Sequence, residues 1–179
     1  MSNGKFRRKK NENSGKCVEN KKVKNAEKVV YDGILFLSRT EGKCYLILKN
    51  LCLNFKHEPE KITIWKGERT DNVFVYEKRR KIFSLYKAVK PQDTTYTPDF
   101  VVYSHDGKKK VYIEVKGKQN DLFSTKRKMF YTWMHNEMES NKDIELRYAF
   151  VKNLTEMTTV VKTLSEDADF GKAVEMNLF

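Results

Sequence analysis

The chain has 179 residues, which suits one compact domain with tails better than two domains. Its 34% charged residues leave little for a large core, yet 12% aromatics exclude wholesale disorder, since disordered segments are poor in aromatics. The formal net charge of +12 makes a field that captures polyanions in a salt-dependent way, although a lysine-rich surface that is merely well solvated carries the same charge.

Residues 1–25 form a basic arm in which Lys5, Arg7, Arg8, Lys9, Lys10, Lys16, Lys21, Lys22 and Lys24 face only Glu12 and Glu19. The arm buries nothing and is expected to be flexible in isolation, either as a solvated tail or as a follower of phosphates. A domain is expected over 26–165, with a mixed-charge tail over 166–179. Within it, Val29–Leu37 places Asp32-Gly33 between two short apolar stretches, a hairpin signal. Ser38 reads as a helix N-cap with Glu41 at the capping-box spacing. Cys44, Tyr45, Leu48, Leu51 and Cys52 then give one apolar helical face ending near Asn54.

After Pro59, Lys61–Trp65 alternates as a short strand. Val73–Tyr76 and Lys81–Val89 read as strands joined by charged residues, with a helix as the open alternative. Thr97–Tyr103 and Lys110–Lys116 are β-rich runs around Asp106-Gly107, the strongest hairpin signal in the chain. Gly117 ends the second run, and Ser124 reads as the cap of a helix through about Glu139. Ile144–Val151 reads as a strand inside the sheet, and Leu154–Leu164 as a last helix.

A turn centred on Asp106 and Gly107, taken as type I′, pairs residues whose numbers sum to 213. Asp99 then faces Glu114, Val101 faces Tyr112 and Thr97 faces Lys116. Alternation puts Asp99, Glu114 and Lys116 on one face and Phe100, Val102, Val111, Ile113 and Val115 on the other, a good core surface. Two carboxylates about 5 Å apart repel by about 3 kcal/mol at an effective dielectric near 20. A fold tolerates this if one is protonated, if Lys116 screens the pair, or if a divalent cation lies between them. Magnesium takes one or two carboxylates plus waters and phosphate oxygens, lowers the pKa of its water and clamps a scissile phosphate. Lys116 is placed to orient that water or neutralise developing charge.

Thr97-Pro98-Asp99-Phe100 followed by Glu114-Val115-Lys116-Gly117 resembles the PD-(D/E)xK nuclease signature. The stretch Ser38-Arg39-Thr40-Glu41, with Cys44-Tyr45-Leu46 and Leu48, is similar to the S-x-x-E helix of small phage-encoded nucleases related to endonuclease I-type Holliday junction resolvases. His57-Glu58-Pro59 and Lys126-Arg127-Lys128 follow in the expected order, and the likeness covers about residues 29–151. It implies an α/β restriction-endonuclease-like core, a mixed β-sheet flanked by helices. It also implies a magnesium-dependent endodeoxyribonuclease, with manganese as a substitute. Asp99, Glu114, the Val115 carbonyl and Glu41 are then the metal ligands, and Lys116 the water-positioning group. DNA is the implied partner, branched DNA or Holliday junctions included, with a homodimer making two symmetric cuts in the cytoplasm of a bacterial host. The basic arm, the 66–95 region and the C-terminal helix depart from the short members.

Other readings stay open. Glu41 has a structural alternative as a capping glutamate that needs no metal. Lys126, Arg127 and Lys128 are a phosphate contact or a solvated helix face. The whole chain is alternatively a non-catalytic nucleic-acid-binding protein on the same fold, or a nuclease acting on RNA or in transposition or homing. Cys17, Cys44 and Cys52 lack C-x-x-C spacing and fit a reducing cytosol. His57, His105 and His135 are scattered, so no His/Cys zinc cluster is expected. Neither a signal peptide nor a bilayer-spanning run is read, which leaves no membrane partner.

Overall fold

The computed structural model describes residues 27–71, 73–78, 80–86, 90–116 and 121–171. The basic arm and Gly117 lie outside the described residues. The described chain is mixed α/β, built on a four-stranded mixed sheet with three helices around it.

Strands β1 (Val29–Tyr31) and β2 (Ile34–Phe36) form the expected hairpin. Asp32 and Gly33 turn it at φ 51° and 78°, a region Asp tolerates and Gly adopts without strain. Ser38 caps α1 (Arg39–Asn50), its hydroxyl accepting the Glu41 N–H at 3.1 Å. Cys44 and Leu48 are buried on the inner face, whereas Leu51 and Cys52 are exposed and Cys52 turns at φ 53°. The apolar face therefore ends a turn earlier than its spacing suggests.

β3 (Phe55–His57), absent from the sequence reading, pairs antiparallel with β8 (Phe100–Tyr103). β8 in turn pairs antiparallel with β9 (Lys109–Val115), and β9 lies parallel to β10 (Glu145–Val151). The sheet order is thus β10-β9-β8-β3. β10 is an edge strand, not an interior one: its apolar residues pack on helices, while Arg147 pairs with Glu145 and Asp167. Between β9 and β10 runs α2 (Asp121–Ser140), the crossover that a parallel pair requires. It starts three residues before Ser124, with Asp121 in the first turn where a negative charge suits the helix dipole.

The pairing of β8 with β9 has the expected register, Phe100 opposite Ile113 and Val101 opposite Tyr112. The turn is of another kind. Ser104 N–H donates to the Lys109 carbonyl, leaving a four-residue loop in which only Gly107 has positive φ. Asp106 Oδ1 accepts from the Ser104 hydroxyl at 2.6 Å and from the Lys108 N–H at 3.0 Å, so a side chain rather than a type I′ backbone closes it. Loops of two and four residues about the same centre give the same register, which is why the pairing survives the change of turn.

Both faces of the sheet are covered. Phe100, Val102, Val111 and Ile113 pack with Phe36, Cys44 and Leu48 and with Met157, Val161 and Leu164 of α3 (Leu154–Glu166). Val101 and Tyr112 pack against Phe123, Phe130 and Met134 of α2. The chain beyond α3 does not leave the fold at once: Phe170 is buried in the first cluster, and Asp169 accepts the His105 N–H at the hairpin loop.

β4 (Ile62–Trp65) and β7 (Thr94–Tyr96) pair with each other rather than joining the main sheet. β7 is split from β8 by Pro98, which offers no N–H to a ladder and is fully buried. The segment between them carries a further hairpin, β5 (Val73–Glu77) with β6 (Ile82–Tyr86), resolving the strand-or-helix alternative in favour of strands.

Candidate active site

The break at Pro98 places Asp99 at the mouth of the sheet. Its backbone carbonyl accepts the Glu58 N–H, and its Oδ2 accepts the Val115 N–H at 2.6 Å. Asp99 therefore reaches across to β9 with its side chain where the backbone ladder stops. Extending the ladder by one step sets it opposite Glu114, whose side chain is on the same face.

Glu114 is buried, and Tyr96 donates its hydroxyl to Oε2 at 2.8 Å. Tyr96 has one proton, so the 3.1 Å contact with Tyr148 runs from the Tyr148 hydroxyl to the Tyr96 oxygen. Burial, then the Glu114 charge, holds Tyr96 firmly in its protonated, donating form. Lys116 Nζ stands 3.6 Å from Glu114 Oε1 and 4.2 Å from the Phe123 ring centroid, so a carboxylate and an aromatic face fix the ammonium between them. Its own N–H donates to the Val151 carbonyl of β10.

Glu41 enters from α1. Its carboxylate does not return to cap the helix; Oε1 meets His57 Nε2 at 2.8 Å, with both side chains about nine-tenths buried. The His57 ring is wedged against Phe36 and Phe100, with centroids 4.7 and 5.3 Å away. Glu41, His57 and Glu58 offer ligand atoms that lie within 4.8 Å of one another.

Among the described residues the buried charged side chains are Glu41 and Glu114, and both bear on Asp99. Burial, then the Glu114 charge, pushes the Asp99 carboxyl up to about 8, with Glu41 adding to the rise while the Val115 N–H and Lys116 oppose it. Burial likewise raises Glu114, against the Tyr96 and Lys116 hydrogen bonds. Cys44, facing the same charges from α1, is pushed up to about 12, by burial first and then by Asp99 and Glu41. Asp99 and Glu114 thus share one face with Lys116 beside Glu114, and Glu41, bonded to His57, acts on both carboxylates through its charge.

Of the expected site residues, Asp99 is bonded to the Val115 N–H and Lys116 stands by Glu114, while Glu41 is bonded to His57. The structure divides the basic triplet of α2, because successive helical residues are about 100° apart. Lys126 turns inward, donating to the Thr95 carbonyl and lining a cavity of about 360 Å³ with Glu114, Lys116, Tyr96, Thr97 and Phe123. Arg127 folds over the Phe123 and Phe150 rings, and its buried Nε has no hydrogen-bond partner. Lys128 is exposed on the outer side. Tyr96 draws no attention in the sequence, and His57 enters there within His57-Glu58-Pro59, without a role. His57 reaches the site through the β3–β8 pairing, and Tyr96 through a strand that pairs with β4. His105 and His135 are exposed and apart from it.

No helix among the described residues is long and apolar enough to cross a membrane. Neither the curated proteins nor the solved structures offered a match to this chain. One family model does match, over residues 21–164, and it is described as a protein of unknown function, DUF1064. That span takes in the described elements from β1 to β10, α3 as far as Leu164 and all the carboxylates of the site, and the chain therefore belongs to the DUF1064 family.

Proposed function

We propose that this chain is a divalent-metal-dependent endonuclease that hydrolyses DNA phosphodiester bonds, with Asp99, Glu114, Glu41 and Lys116 as its working groups. The observation that carries the reading is buried Glu114 on the same face as Asp99 with Lys116 beside it, and buried Glu41 near enough for its charge to act on both. Buried like charges are costly, and a fold that sets Asp99 opposite Glu114 is suited to receive positive charge between them.

The donor set fits magnesium. Carboxylate oxygens are hard ligands, and Lys116 stands beside Glu114 as His57 stands beside Glu41. Asp99, Glu114, Glu41 and the Val115 carbonyl would hold the ion, which when bound supplies Lewis acidity and an acidified water. Tyr96 fixes the Glu114 carboxylate by donating to one oxygen, leaving the other toward Lys116. Lys116, held by Phe123, presents a fixed ammonium where a phosphate or its attacking water gathers negative charge. His57 holds Glu41 turned away from its own helix cap. Lys126 lines the adjoining cavity and offers a contact for a neighbouring phosphate.

The likeness of Pro98-Asp99 and Glu114-Val115-Lys116 to the PD-(D/E)xK signature supports the same chemistry, and the S-x-x-E helix favours branched DNA, cut by two copies. A four-way junction, a linear duplex, a single strand and an RNA, each incubated with magnesium or with EDTA, test the reading. Magnesium-dependent cuts that disappear with Asp99→Asn are expected. Binding without cleavage of any of the four substrates would point to a non-catalytic binder, and cleavage confined to RNA would move the substrate.

A further inference from the structure

The segment between β4 and β7 leaves the body as an arm. Its two legs are clamped at the root, where the Gly67 N–H donates to Asp93 Oδ1 at 2.9 Å. A Cβ on Gly67 would fall 1.9 Å from the Pro91 carbonyl oxygen, so the legs touch only because residue 67 has no side chain. Beyond the clamp, β5 and β6 pair with each other, and no other described element packs against them to more than a marginal extent.

The described part of the arm presents large apolar side chains at its surface. Phe74 and Tyr76, two residues apart and so on one face, are 67% and 50% exposed, and Ile82 beyond the turn is 48% exposed. The connecting sequence is Lys78-Arg79-Arg80-Lys81, four consecutive cations. From 66 to 90 the sequence holds eight basic against three acidic residues, a large part of the chain's +12.

We propose that the β5–β6 arm is a second nucleic-acid contact, a two-stranded ribbon that lies in a groove of duplex DNA with its cationic turn on the phosphates. The choice of DNA as ligand rests on the function proposed above. The dimensions agree: five strand residues extend about 17 Å, and a major groove about 12 Å wide admits a two-stranded ribbon. Asp93 at the root is six residues from Asp99, at most about 22 Å along the chain. One turn of duplex is about 34 Å, so root and catalytic centre reach the same turn. Charge complementarity selects the occupant. A second copy of this chain brings the same four cations to a symmetric contact and is repelled, whereas a phosphate backbone is attracted. Phe74 and Tyr76 then supply apolar and stacking contact beside the phosphate-bound turn.

The test uses the full chain and a fluorescent 30-base-pair duplex in EDTA, with affinity measured by anisotropy between about 50 and 200 mM salt. Lys78→Ser, Arg80→Ser and Lys81→Ser together are expected to lower the salt slope by about 2.7, near 0.9 per lost phosphate contact, and to weaken binding at least about tenfold. Phe74→Ser weakens binding with the slope unchanged. Lys142→Ser with Lys162→Ser, exposed cations elsewhere on the surface, leaves both unchanged. With magnesium, the turn variant raises KM and keeps the wild-type kcat at saturating duplex. An unchanged slope in the turn variant overturns the proposal. So does absence of duplex binding by the wild type, or a wild-type dimer that Phe74→Ser dissociates without weakening DNA binding. A wild type that binds but never cuts, while still losing affinity in the turn variant, defeats the nuclease reading and supports the arm.

Discussion

Asp99→Asn is expected to make the metal-free protein more stable while removing its function. In the folded chain the Asp99 carboxyl is raised from its ordinary 3.8 to about 8 by burial and by Glu114. A raised acid is protonated more readily folded than unfolded, so its contribution is intact below about pH 4 and is lost as the pH climbs through 8. At pH 7 the loss has a ceiling of about 4 kcal/mol, at about 1.4 kcal/mol per pH unit above 3.8. Relaxation and water penetration reduce this to about 1–3 kcal/mol. Asparagine carries no charge, keeps an oxygen for the Val115 N–H and offers an amide donor to the neighbouring carboxylates. Urea unfolding in EDTA at pH 7.5 should therefore show the variant more stable by about 1–3 kcal/mol, with a Tm higher by about 3–10 °C. At pH 5, only about one unit above 3.8, the gap should shrink to about a third of its value at pH 7.5. Magnesium should then stabilise the wild type and leave the variant unmoved. A variant equally stable or less stable in EDTA at pH 7.5, or a gap that is the same at pH 5, would refute the electrostatic account of the site.

Tyr96→Phe removes the donor to buried Glu114 and should cost about 1–2 kcal/mol in urea unfolding, with weaker magnesium binding at unchanged fold by circular dichroism. His57→Ala frees Glu41 and should reduce metal affinity about 10- to 100-fold, with His57→Gln recovering part of the loss in the same titration. Cys44, buried and with its thiol pushed up to about 12, should resist a thiol-specific reagent at pH 8 until the chain unfolds, whereas exposed Cys52 reacts in the native protein; peptide mapping after labelling separates them.

The sequence revealed the hairpin of the site because two independent signals coincided there. Asp106-Gly107 set a centre, and the apolar run Phe100, Val102, Val111, Ile113 demanded one register, so an error in turn type left the pairing intact. The Ser38 cap was equally local and held. Partners fixed only by distant pairing were not legible. Phe55–His57 is too short and mixed to read as a strand, and it becomes one by docking on β8, which carries His57 to Glu41. The apolar run Ile144–Val151 suggested an interior strand because helices cover both its faces, a burial that does not tell a central strand from an edge. The triplet Lys126-Arg127-Lys128 looked like one patch in sequence, yet helical rotation spreads it over three directions. The aromatic rings that draw Arg127 inward lie on α2 and on β10, far apart in the chain.

The central claim is that Asp99, Glu114 and Glu41 are gathered to hold a divalent cation. Isothermal titration of magnesium, and of manganese, into the metal-free chain at pH 7.5 tests it most directly, with Glu114→Gln alongside. Saturable binding to the wild type is expected, abolished or weakened at least about a hundredfold in the variant, with the fold of both preserved. Equal binding by the two proteins, or none by the wild type, would contradict it.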